Sequence, residues 1–207
     1  MKKFAIAAVL AAGSFLSAHA ASITGLVNTG SFASGQQDTN YSLNSTGYGF
    51  VTSNGSFPLG PWMANSTTSK WITPTAAQGA TSAAGTYTWS LNFDLTGFDA
   101  ATASFDGKFA ADNSAVVKLN GTKIGYADGF KSFYNFGAAT GFNSGVNTLD
   151  FVVTNYAGSS GNPTGLRVEF TASNVTPVPE PETYAMLLAG LGLMGVISRR
   201  RAKRNAA

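Results

Sequence analysis

The chain has 207 residues, enough for one ordinary domain with processing segments at its ends. Charged residues make up 11% while Gly, Ser, Thr and Asn abound, a mix that favours a strand-rich exported protein over a helical cytosolic one. The formal charge of +3 misleads: seven of thirteen basic residues lie in the two ends, and residues 21–178 hold six basic against eight acidic residues, a net of −2, with no basic cluster suited to nucleic acid.

There is no cysteine, which excludes disulfides, thiolate metal sites and cysteine nucleophiles. The one histidine, His19, falls in the leader described next. A mature chain without His or Cys lacks the commonest general base and the commonest transition-metal ligands, and this is the main sequence argument against an enzyme.

Residues 1–20 read as a signal peptide with a signal helix. Lys2 and Lys3 give the charged start, residues 4–16 a short apolar run, and Ala18 and Ala20 the small residues before a cut by signal peptidase after Ala20. Residues 21–60 are rich in Gly, Ser, Thr and Asn with weak periodicity; a short strand is expected near 47–52 and a turn-rich break at 57–61. Residues 86–95 form the clearest strand. Tyr87, Trp89, Leu91, Phe93 and Leu95 alternate with polar residues and share one face. A strand over 103–110 alternates less cleanly. Residues 116–119 and 122–126 flank Asn120-Gly121, the pair that supplies both positive-φ positions of a type I′ hairpin turn. Leu149, Phe151 and Val153, and then Leu166, Val168 and Phe170, mark two further strands. With no long helical period between the ends, an all-β antiparallel sandwich is expected for residues 21–176.

The C-terminus has three parts. Residues 177–183 read as a Pro-rich linker whose stretch 177–181 is stiff and non-helical, because each Pro fixes φ and biases its predecessor away from helix. Residues 184–198 are expected to form a short transmembrane helix, although fourteen apolar residues in a helix span about 21 Å against the ~30 Å of a bilayer core. Residues 199–207 follow as a basic cytoplasmic tail, with Arg199, Arg200 and Arg201 as the stop signal.

Val178-Pro179-Glu180-Pro181-Glu182-Thr183, the apolar run and the Arg cluster together resemble the PEP-CTERM sorting domain. The resemblance implies recognition by an exosortase, cleavage near Pro179, Glu180 and Pro181, transient anchoring in the inner membrane, and a Gram-negative host that makes extracellular polysaccharide. Within the body, Gly85-Thr86-Tyr87-Thr88-Trp89 with Phe93-Asp94-Leu95, the hairpin at Asp112-Asn113 and Asn120-Gly121, residues 145–155 and residues 163–168 resemble galactose-binding-like jelly rolls. That likeness covers residues 70–172 and implies similarity to carbohydrate-binding modules; residues 21–69 have no counterpart in it.

Asp112 and Asn113, with Asn120 and Asp128, are candidate Ca²⁺ ligands because loop oxygens suit that cation. The same residue types commonly end strands and bond nearby backbone. No other cofactor is expected. Trp62 and Tyr134 are the candidate glycan-stacking aromatics, whereas Phe133 and Phe136 are expected in the core. Asp94, Asp99 and Asp106 show no pairing of the kind a glycosidase needs. The sequence thus points to an exported, non-enzymatic cell-surface or extracellular protein that binds polysaccharide. A purely structural adhesion or biofilm-matrix protein and a glycan-active enzyme are the alternatives.

Overall fold

The computed structural model describes residues 20–158, 161–178 and 181–205. Within them the strands run in the order β1 (Gln37–Leu43), β2 (Gly47–Val51), β3 (Ile72–Thr73), β4 (Gly85–Asp94), β5 (Phe98–Asp112), β6 (Ser114–Leu119), β7 (Thr122–Asp128), β8 (Tyr134–Ala138), β9 (Val146–Asn155) and β10 (Gly165–Pro177), followed by the helix α1 (Pro181–Asn205). The body is mostly antiparallel sheet, as the alternating patterns imply. Residues 1–19, which hold most of the expected signal helix, lie outside the described residues.

The strands form one hydrogen-bonded series, β7-β6-β9-β4-β1-β2-β3-β10-β5-β8. That series folds back on itself. Phe109 of β5 and Phe136 of β8 meet Phe151 of β9 with ring centroids 5.7 and 5.6 Å apart, and Phe105 of β5 meets Phe93 of β4 at 6.5 Å. These strands lie far apart in the series, so the contacts define two facing layers. The result is a sandwich-like body, with β7-β6-β9-β4-β1 opposite β2-β3-β10-β5-β8. Trp89, Leu91, Phe93, Val117, Leu149, Val153, Leu166 and Val168 fill the space between. The period-two faces read from β4, β9 and the start of β10 are therefore the faces that are buried. Asn120 and Gly121, at φ 48° and 84°, make the expected hairpin turn between β6 and β7.

Residues 21–69 join this body. Ala21 and Val175 exchange backbone hydrogen bonds of 2.8 Å in both directions. Asn28 Oδ1 accepts from the Phe170 N–H at 2.7 Å, Thr29 Oγ1 from the Val168 N–H at 2.9 Å, and the Val27 carbonyl from the Tyr41 hydroxyl at 2.6 Å. The segment around residues 21–31 is thereby stitched to β10 on one side and β1 on the other. Residues 53–71 instead fold over the outer face of β5 and β10. There Leu59, Trp62, Trp71 and Ala110 form a second small core with Met63, Phe130 and Phe133.

At the C-terminus the structure corrects two expectations. The chain is already helical at Pro181, the last residue of the expected non-helical stretch. Proline suits the first helical position, where its missing N–H would have no intrahelical partner. The helix then runs through the basic cluster to Asn205. Yet among the described residues no helix is long and apolar enough to cross a membrane. The fourteen-residue apolar run falls short of a bilayer core, and any window of 18 residues around it takes in Glu182 or an arginine. The transmembrane helix expected at 184–198 is thus not found.

The aromatic seam predicts its own test. Phe151→Ala should lower the unfolding free energy by about 3–5 kcal/mol in urea melts, because the cavity opens where the two layers meet. Val146→Thr, at an exposed site on the same strand, should stay within about 0.5 kcal/mol of the wild type.

Candidate functional site

Trp62, a candidate glycan platform by sequence, is only 3% exposed. It packs tilted against Trp71 with centroids 4.5 Å apart, and its indole N–H donates to Asp112 Oδ2 at 2.8 Å. A Cβ on Gly165 would lie 2.7 Å from the Trp62 ring, so only glycine lets the indole lie on β10. Trp62 is therefore a core residue: the loop around it folds inward over the sheet instead of out into solvent. Tyr134 is half-buried on β8, and its hydroxyl donates to the Asp128 carbonyl at 2.5 Å. Phe136 lies in the main core, and Phe133 packs half-buried against the second.

Asp112 and Asn113 are engaged separately. Asp112 faces Trp62, while Asn113 Oδ1 accepts from the Tyr156 N–H at 2.7 Å. Asn120 donates to Gly141 and Asn147, and no group of three His, Cys, Asp or Glu side chains suited to a metal occurs among the described residues. Asp94 accepts from Thr96 N–H and hydroxyl at 2.9 and 2.8 Å, which holds its carboxyl below the usual range, and Asp99 accepts from the Ala101 N–H at 3.0 Å. Both carboxylates thus close local turns. Pro179, Glu180 and Ala18 lie outside the described residues; Ala20 is exposed, Pro181 opens α1, and Arg199, Arg200 and Arg201 are exposed along it.

A buried charge network holds the 53–71 lobe down. Arg167 donates to Ser69 Oγ, the Ala64 carbonyl and Ser66 Oγ at 2.6, 2.5 and 2.9 Å, and pairs with Glu169 at 3.2 Å. Glu169 also accepts from Ser69 at 2.7 Å and pairs with Lys108 at 2.9 Å. Every charge here has a partner, so the cluster fixes the lobe and leaves no group free for chemistry.

The accessible polar site lies elsewhere, on the outer side of β1 and β4. A groove of about 370 Å³ is lined by Gly25, Val27, Asn40, Tyr48, Leu91 and Asn92 among others. Tyr48 projects beside it, 40% exposed, from the β1–β2 hairpin. Asn40 Nδ2 donates to Ser31 and Asp38 at 2.9 and 3.1 Å, which leaves its carbonyl oxygen as an acceptor. Asn92 Oδ1 accepts from Thr148 at 2.8 Å, which leaves its amide N–H groups as donors. Below them the buried Asp38 accepts from the Gly30 N–H at 2.7 Å and fixes the β1 turn. The groove combines one aromatic ring, an apolar floor and uncharged donors and acceptors. Tyr48 is not among the aromatics expected to stack on glycan, because it sits in a short strand of weak periodicity. The usable signal was a tyrosine between Gly47 and Gly49 in a strand whose other face had to be buried.

Burial raises the Asp112 carboxyl to about 6, against the pull of the Trp62 N–H. The folded state then binds this proton more tightly than the unfolded chain. The stability involved is fully present below about pH 3.8 and is lost as pH rises through about 6. Relative to Asp112→Asn, the wild type should therefore be more stable near about pH 4 than near about pH 7, by up to roughly 3 kcal/mol. A pH-independent difference between the two melts would show that Asp112 does not titrate in this way.

Comparison with known proteins bears on the tail. The chain has no significant match among curated proteins. Residues 177–202 match the PEP-CTERM protein-sorting motif. That motif implies export, transient membrane anchoring and processing by an exosortase, so the C-terminal segment is a sorting signal.

Proposed function

We propose that this protein is an exported surface or matrix protein whose body binds glycan without catalysis, and that its PEP-CTERM tail delivers it there through exosortase. The observation that carries the reading is the groove at Tyr48. Sugar rings present C–H faces to aromatic side chains and hydroxyls to amides, and binding sites of this size combine an apolar surface with a few placed polar groups. Tyr48, Asn40 and Asn92 offer that combination without a charge. The chain beyond Ala20 has neither His nor Cys, and two of the three carboxylates weighed for a glycosidase, Asp94 and Asp99, serve local turns instead. Among the described residues, Ala21, the residue after the expected signal cut, is the first to pair with the body, which suits a domain that begins there.

In affinity gels against a polysaccharide panel, the wild type should be retarded by at least one polymer, and Tyr48→Ala should lose about tenfold in affinity while keeping its far-UV spectrum. Absence of any retardation would leave the body a structural matrix protein and sink the binding reading. For the tail, replacing Pro179, Glu180 and Pro181 with alanine should leave the full-length chain in the membrane fraction. Unchanged release would show that the tail is not cut at that motif.

A further inference from the structure

The hollow at Tyr48 has a neighbour. Across the segment around residues 25–31 lies a second hollow of about 500 Å³, lined by Val27, Asn28, Ser31, Thr68, Lys70 and Phe170 among others. Val27 lines both hollows, and the Asn40–Ser31 hydrogen bond of 2.9 Å joins a wall of one to a wall of the other. Each hollow therefore offers an aromatic ring, Tyr48 in one and Phe170 in the other, beside amide and hydroxyl groups. Both volumes fall in the range of small-molecule sites.

They differ in charge. The Tyr48 hollow has no ionised lining residue, whereas the second contains the ammonium of Lys70. Lys70 Nζ donates to the Phe32 carbonyl at 3.1 Å and forms no ion pair among the described residues. An ammonium has three donors, so two remain for a ligand. Its base is held firmly: the Lys70 N–H donates to the Thr29 carbonyl at 3.0 Å, and the Lys70 carbonyl accepts from Thr29 Oγ1 at 2.8 Å. Gly30 packs against the Lys70 backbone too closely for any side chain at that position. A cation fixed at its root in a polar hollow, within a body of net negative charge, calls for an anionic group on the ligand.

We infer that the two hollows form one groove for an acidic polysaccharide, with a neutral sugar unit on Tyr48 and the carboxylate of a neighbouring uronic acid unit against Lys70. This rests on the glycan-binding reading of the body and adds the ligand's charge and length. A single sugar fills one hollow; a chain is needed to reach both.

The test uses the full-length chain and an array of length-matched neutral and uronic-acid oligosaccharides. The wild type should prefer the uronic-acid chains, and rising salt should erode that preference. Lys70→Gln retains a donor for the Phe32 carbonyl. It should lose about tenfold in affinity for uronic-acid chains and keep its affinity for neutral ones, whereas Tyr48→Ala should weaken both. If Lys70→Gln binds every chain as the wild type does while Tyr48→Ala weakens them, the glycan reading stands and the second hollow is no part of the site. If the wild type binds no chain on the array, both readings fall.

Discussion

A long antiparallel sheet with one apolar face is insoluble until that face is covered, and here the sheet covers itself. The seam of Phe105, Phe109, Phe136 and Phe151 marks where the end of the series carrying β5 and β8 crosses over β9 and β4. Edge-to-face contacts between these rings fix the separation of the layers as well as burying area. Closeness at the crossing sets a further condition. A Cβ on Gly125 of β7 would lie 2.8 Å from the Phe136 Cβ, so the two ends of the series approach as nearly as backbone allows.

That closure leaves two outer faces, and the protein treats them differently. The face of β5 and β10 is capped by the 53–71 lobe, which brings its own core of two tryptophans and is clamped by Arg167, Glu169 and Lys108. Burying such charges is tolerable only because Ser66, Ser69 and the Ala64 carbonyl complete their hydrogen bonds. The lobe uses Trp62, the candidate glycan platform, together with Trp71 in holding itself down. The other face stays open. A cross-strand row passes there through Tyr48, Ser42, Ser90, Asp150 and Lys118, and Ser90 Oγ donates to Asp150 at 2.5 Å. Polar residues in register across five strands make a surface that water or hydroxylated ligands can wet, and the groove lies at its β1 end.

How much of this was legible depended on alternation. β4, β9 and the hairpin of β6 and β7 announce themselves because each buries one full face and because Asn120-Gly121 dictates its own turn. β1 does not, since its inward residues include Asp38, a buried carboxylate that only the folded Gly30 and Asn40 contacts make tolerable. β3 has two residues and exists through its neighbours β2 and β10. Trp62 misled because Pro58, Gly60 and Pro61 mark a loop correctly but say nothing of which way it folds. The tail was readable as a signal because its parts are ordered in sequence. Its helix boundaries were less so, because proline both stops helices and starts them.

The position of the charges ties the tail to the groove. With the basic tail attached, residues 21–207 carry a formal +1 (eleven basic against ten acidic), whereas residues 21–178 carry −2. Processing at the motif therefore reverses the sign of what is released. A weakly acidic body gains nothing from long-range attraction to an acidic polymer, but at physiological salt such fields fade within about 8 Å. The proposed recognition of an acidic chain would then have to be short-range, through a cation held in place rather than through a basic surface. Lys70, fixed at its backbone by Thr29 and Gly30 and set beside Phe170, is a group of that kind. With only one cation involved, the proposed contact would stay weak for any single unit. Firm attachment to a matrix would come from many copies of the body along one chain, each reversible alone.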